Sequence, residues 1–262
     1  MASYGFQEII IENLDQIDLR NSNKVYYTYK GCDFYYKRVD TSDKLLVGFH
    51  ASIDNQFTLP IFRYHEYDTN ILSIADSFLK KYRHTGLRCA WYMSTKSESY
   101  NDVYLEILSY FIKPSLYNNV VFAASSGGGF PAIRYGCYFK ANVIVMNTQF
   151  YLYNNWPFNH IVTYSGLKKN DFVDFDIHAI LKGPALYNKL IIYQNTRDTG
   201  TFNSQYIPFK VFLEGTGLTD NVEFCEFYGA DPVPIDRPHG HHCIMLPENT
   251  MLISVVDRLH NM

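Results

Sequence analysis

Hydrophobic and polar positions along the chain alternate between short β-rich runs and longer stretches with apolar residues at helical spacing, the pattern of a mainly parallel sheet with helices on both faces. CDFYYKR (32–38) and KLLVGFHA (44–51) are predicted strands, and the polar turn Asp40–Asp43 between them suits a hairpin. NILSIADSFLKKYR (70–83) reads as a helix with cations at its carboxyl end, LRCAWYM (87–93) as a strand, and 99–113 as a helix that stops before Pro114. NVVFAAS (119–125) is a strand running into a glycine cluster. A helix over about 128–139 and the strand ANVIVMN (141–147) follow. Residues 148–185 are too long for an ordinary connection and too apolar for a disordered one, so they read as a cap insertion. The strand KLIIYQN (189–195), a helix over 203–214, the strand NVEFCEFY (221–228), a Pro- and His-rich loop and a helix near 248–260 complete the chain. No linker, charge block or repeat marks a boundary, so residues 1–262 are expected to form one α/β domain.

The most informative segment is Val120 to Ala132, VVFAASSGGGFPA, which parses as strand, sharp turn and helix. A serine on such a turn needs small residues two before and two after it, and Ala124 and Gly128 flank Ser126 in that way. Ser126 thus takes the nucleophile slot of G-x-S-x-G, and the Gly127 N–H is placed to form half of an oxyanion hole. A phosphate-cradling loop is the competing reading. The chain lacks both G-x-x-x-x-G-K-[ST] and G-x-G-x-x-G, which disfavours it.

A serine hydroxyl is a poor nucleophile at neutral pH, so a base and an orienting acid are expected further along, in the order Ser, Asp/Glu, His. Asp198 follows the strand 189–195. The strand 221–228 leads to Arg237-Pro238-His239-Gly240-His241-His242. Asp198 is the favoured acid, with Asp231 and Asp236 as rivals. His241 is the favoured base, with His239 and His242 left to line the pocket or to compete for the role. A metal site built from His239, His241 and His242 is disfavoured, since no carboxylate cluster accompanies it. The second oxyanion donor is sought in the loop after an earlier central strand, where the Ala51 N–H is the candidate. His50, Trp156, Arg197 and His239 are the candidate substrate contacts.

Composition narrows the function. With 23 Lys+Arg against 26 Asp+Glu, the net charge of −3 offers no field for nucleic acid or anionic lipid. The chain carries no apolar run long enough for a membrane span or an export signal, so a cytoplasmic protein is expected. Five cysteines without CxxC spacing read as reduced thiols in the core rather than a disulfide framework. Aromatic residues make up 17% of the chain, with 23 tyrosines. Tyr151, Tyr153, Trp156 and Phe158 in the 148–185 segment suit stacking on sugar rings and exclusion of water.

These residues resemble the α/β-hydrolase superfamily from about residue 32 to the end, with the elbow around Ser126 carrying the match. LLVGFHAS, the elbow SSGGG and the late Gly-His pair are similar to bacterial capsular and surface-polysaccharide O-acetyltransferases of that superfamily. The chain departs from them in Ala124, where a glycine is usual, and in Gly127, where a larger residue is common. The resemblance implies a three-layer sandwich with a cap. It also implies a Ser126–His241–Asp198 triad that moves acetyl from acetyl-CoA, with no bound cofactor, to a polysaccharide or sugar hydroxyl. A carboxylesterase or deacetylase with the same triad, and a non-catalytic accessory protein of glycan assembly or secretion, are the alternatives. Self-association or membership of a glycan-assembly complex is compatible with each.

Overall fold

The computed structural model describes residues 7–19, 25–51, 68–153, 156–183 and 186–228. The chain divides into two compact units, one comprising Met1–Val120 with Tyr153–Phe175 and the other Val121–Leu152 with Asp176–Met262.

In the first unit the strands β1 (Gln7–Ile11), β2 (Val25–Tyr29), β3 (Cys32–Lys37), β4 (Lys44–Phe49) and β5 (Asn70–Ile74) lie in the order β1-β2-β3-β5-β4. β1–β2 and β4–β5 are parallel pairs, while β2–β3 and β3–β5 are antiparallel. The hairpin of this unit is therefore β2–β3. Its two-residue turn uses Lys30 (φ +47°) and Gly31 (φ +78°), both left-handed, as a turn matched to the strand twist requires. The expected pairing of 32–38 with 44–51 is corrected, because β5 inserts between them.

The expected helix over 70–83 is also corrected. Its first part is β5, buried at every position, and only Ser77–Tyr82 forms a helix, α1. Asp76 ends the strand and caps the helix, accepting the Leu79 N–H at 3.1 Å. The expected strand 87–93 is not one either. Trp91 and Tyr92 are both left-handed (φ +51° and +55°) and both buried, and Met93 N–H closes a turn on Ala90. The helix α2 (Tyr100–Phe111) stops short of Pro114 as predicted, and its Phe111 packs on Phe34 and Tyr36.

In the second unit β7 (Asn119–Ser125), β8 (Asn142–Met146), β10 (Lys189–Asn195) and β11 (Val222–Phe227) are all parallel, in that order. These strands match the sequence reading to within a residue or two at each end. The turn Ser126–Gly128 joins β7 to α3 (Gly129–Phe139). The helices α6 (Thr199–Thr201) and α7 (Ile207–Thr216) are joined by a π-helical turn, Phe202–Tyr206.

Residues 148–185 are shared between the two units. Residues 153–175 belong to the first unit, with α4 (Trp156–Ser165) and a short antiparallel pair between β6 (Ser94–Thr95) and β9 (Phe172–Val173). Residues 148–152 and α5 (Ile177–Leu181) belong to the second. No helix among the described residues is long and apolar enough to cross a membrane. Cys32, Cys89 and Cys137 are free and buried; burial pushes the thiols of Cys32 and Cys137 up to about 12 and about 11.

Close packing at the start of α3 gives a first prediction. A Cβ on Gly129 would lie 2.2 Å from Thr148 Oγ1 and 2.8 Å from its Cβ, and Thr148 is fully buried. Gly129→Ala is expected to destabilise the protein by about 1–3 kcal/mol in a denaturant titration. Adding Thr148→Gly should recover part of that loss; a purely additive double variant would show that the two residues do not oppose each other.

Candidate active site

β7 is buried from Val121 to Ala124 and stays extended through Ser125, and the backbone turns left-handed at Ser126. Ser126 has φ +52°, the left-handed region that residues with a side chain avoid, and remains partly accessible while Gly127 and Gly128 are buried. The tight turn faces the first turn of α3, whose leading N–H groups have no intrahelical acceptor. Ser126 thus lies just ahead of the positive end of the α3 dipole.

The registers Ser125↔Met146 and Met146↔Tyr193 place Ser126 and the residues after Asn195 at the same carboxyl edge of the sheet. β8 alone separates β7 from β10, so the two strand ends lie about 10 Å apart, two strand spacings. Asp198 follows β10 on that edge. It is 2% exposed, and its Oδ1 accepts the Thr201 N–H at 3.2 Å as the cap of α6. Arg197 is half-buried and lies 5.4 Å from the centroid of the Tyr228 ring.

Between these ends runs a polar network. The Asn147 N–H donates to Tyr193 C=O (2.9 Å) and its Oδ1 accepts the Asn195 N–H (2.7 Å). Asn195 Oδ1 accepts the Arg197 N–H, and its C=O accepts the Asp198 N–H. The Gln149 N–H donates to Ser126 C=O at 3.3 Å. Gln205, on the π-helical turn, accepts the Tyr151 N–H (2.7 Å) and donates to Tyr151 C=O (3.4 Å). Neither Asn147 nor Gln205 is among the residues that the sequence motifs single out. An asparagine ending the apolar run ANVIVM was the available signal for the first, since Asn tolerates left-handed backbone; nothing local marks a π turn.

His50 and Ala51 follow β4 in the first unit. His50 Nδ1 lies 2.7 Å from Ala51 C=O, and Nε2 accepts the Asp76 N–H at 3.0 Å. A carbonyl only accepts and an amide N–H only donates, so the ring is the neutral Nδ1–H tautomer. Burial lowers its pKa against the opposing pull of Asp76. Burial likewise raises the Asp76 carboxyl, against His50 and the N–H groups of Tyr92, Leu79 and Ala90. Both nitrogens of His50 are thus committed to backbone groups of the first unit. Trp156 begins α4 in the same unit. His239, His241 and His242, with Asp231 and Asp236, lie outside the described residues, as does the helix expected near 248–260.

No protein-family model matches the chain, and no curated protein matches it. Solved structures do. A capsule O-acetyltransferase of Neisseria meningitidis serogroup A matches with a TM-score of 0.61 at 16% identity, over 88% of this chain and 93% of that one. MPT51 of Mycobacterium tuberculosis matches at 0.55 and 10% identity, over 88% and 92%. An S-formylglutathione hydrolase of Staphylococcus aureus matches at 0.54 and 12% identity, over 90% and 97%. The mostly parallel strands, the left-handed serine between β7 and α3, and these likenesses together give the chain the α/β-hydrolase fold.

Proposed function

We propose that the protein is a serine-dependent acyltransferase that moves an acetyl group from acetyl-CoA to a hydroxyl of a bacterial capsular or surface polysaccharide. The observation that carries the reading is the left-handed Ser126 at the strand–helix turn, a conformation that persists only where the surroundings over-determine it. The fold shared with a capsule O-acetyltransferase supports the choice of acetyl transfer.

In this reading His241 takes the Ser126 hydroxyl proton as Oγ attacks the thioester carbonyl carbon. Asp198 stabilises the imidazolium, and the Gly127 N–H meets the oxyanion. The C–S bond breaks, and the coenzyme A thiolate leaves with the proton from His241. A sugar hydroxyl then gives its proton to His241 and attacks the acyl carbon; the bond from that carbon to Ser126 Oγ breaks, Oγ takes the proton from His241, and the ester leaves. Water in place of the sugar makes the same machinery an esterase. That second reading is favoured by the fold shared with S-formylglutathione hydrolase.

The test is intact mass after brief exposure to acetyl-CoA, beside Ser126→Ala, with coenzyme A release followed in parallel. An acetyl adduct on the wild type alone is the expected result. Cleavage of aryl esters with neither adduct nor coenzyme A would replace the transferase by the esterase. Inertness toward both, with thermal stabilisation by a glycan-assembly protein, would replace both by the accessory role.

A further inference from the structure

We propose that Asn147 is a positioning residue that fixes the spacing between the nucleophile strand and the acid loop. The inference rests on the reading of Ser126 and Asp198 as members of one catalytic group, and deepens it.

In a parallel ladder between β8 and β10, the N–H of residue 147 goes to the carbonyl of 193, and the N–H of 195 goes to the carbonyl of 147. The first of these bonds is present at 2.9 Å. The second is replaced: the Asn195 N–H goes to the Asn147 side-chain Oδ1 at 2.7 Å. The reason is the backbone. Asn147 has φ +43°, which turns the main chain out of the ladder, and the side chain supplies the acceptor in its place.

Two consequences follow from that exchange. The ladder is extended by one rung, so Asn195 is held firmly enough for its own C=O and Oδ1 to fix the N–H groups of Asp198 and Arg197. Meanwhile the chain leaving the left-handed turn carries the Gln149 N–H to the carbonyl of Ser126 and seats Thr148 against Gly129. One three-residue segment thus grips the nucleophile on one side and the acid loop on the other.

The costs at Asn147 point the same way. The residue is 1% exposed, its backbone is in a region unfavourable to any side chain, and its Nδ2 has no partner among the described residues. Glycine would relieve all three costs but offers no acceptor. Alanine would keep the strain and offer none. Aspartate alone shares both the tolerance of the left-handed region and the oxygen at the same place.

The test uses the full-length protein and a fluorophosphonate, in which Ser126 Oγ displaces fluoride at phosphorus. The limiting labelling rate is separated from the half-saturating concentration. Asn147→Gly is expected to lower the limiting rate by on the order of 10- to 100-fold, as a misplacement of about 1 Å does, with half-saturation within about twofold. Asn147→Asp is expected to recover most of that rate. A merely structural role would lower the melting temperature and leave the limiting rate unchanged, which would overturn the proposal. So would an Asn147→Asp variant as slow as Asn147→Gly. If Asn147→Gly does not fold, Asn195→Ala removes the next link, the acceptor for the Arg197 N–H, and an unchanged labelling rate there overturns the proposal as well. A wild-type protein that takes no label at Ser126 overturns the nucleophile reading itself, a failure distinct from the others.

Discussion

Ser126→Gly is expected to be inactive and yet more stable than Ser126→Ala. Ser126 holds φ +52° with a side chain attached, which costs about 1–2 kcal/mol relative to right-handed backbone. Glycine removes that cost. It gives back part of the gain through its greater freedom in the unfolded chain, leaving a net advantage of about 0.5–1 kcal/mol over alanine. For a chain of this length that difference raises the melting temperature by about 2 °C. Alanine retains the left-handed strain and, like glycine, lacks the hydroxyl, so the comparison cancels every bond the Ser126 side chain makes. Both variants should lose on the order of 10^4- to 10^6-fold in kcat for ester or thioester turnover, as removal of a nucleophile does. Full turnover by either one would move the nucleophile away from Ser126. Equal melting temperatures for the two would mean that the turn stores no strain at this residue.

That pairing of strain with chemistry explains why this part of the molecule is legible in the sequence. A tight strand-to-helix turn demands small residues around the serine, and Ala124, Gly127 and Gly128 satisfy the demand in the one-dimensional string. The parallel strands β8 and β10 are legible for another reason: buried on both faces, they read as continuous apolar runs, and β8 is buried at every position. The same property misleads at 70–74. NILSI is also buried throughout, so it carries no alternation to mark it as a strand, and its apolar residues merge with those of α1 into an apparent helical pattern. The boundary is a single capping aspartate, Asp76.

Residues 87–93 fail differently. Cys89, Ala90, Trp91, Tyr92 and Met93 have the composition of a buried strand and are indeed buried. Their backbone, however, is set by a partner distant in sequence: Asp76 Oδ2 accepts the Tyr92 N–H at 2.9 Å, and the Tyr92 hydroxyl accepts the His50 N–H at 3.0 Å while donating to Ile74 C=O. Tertiary bonds of that kind override local propensity, and no local pattern announces them. The π-helical turn that delivers Gln205 to Tyr151 and the side-chain rung at Asn147 belong to the same class. They are supports, dictated by where two elements meet, while the residues they support follow rules of local geometry.

Asp198→Asn is expected to fold as well as the wild type and to lose about 10^4-fold in kcat, the effect of neutralising the acid of such a triad while keeping its shape. Asp198 combines two tasks that this substitution separates. Its Oδ1 caps α6 through the Thr201 N–H, and an asparagine oxygen caps a helix as well as an aspartate does. The melting temperature should therefore change by no more than about 2 °C. What asparagine cannot supply is the charge that stabilises an imidazolium as it forms. Asp198→Ala should show the same kinetic loss and, in addition, about 1 kcal/mol of destabilisation from the missing cap. The measurement is kcat and melting temperature for both variants beside Asp231→Asn and Asp236→Asn. A large loss confined to Asp198 assigns it as the acid. Retained turnover in Asp198→Asn, with the loss appearing at Asp231 or Asp236, would leave Asp198 as a helix cap and move the acid to the loop that carries the histidines.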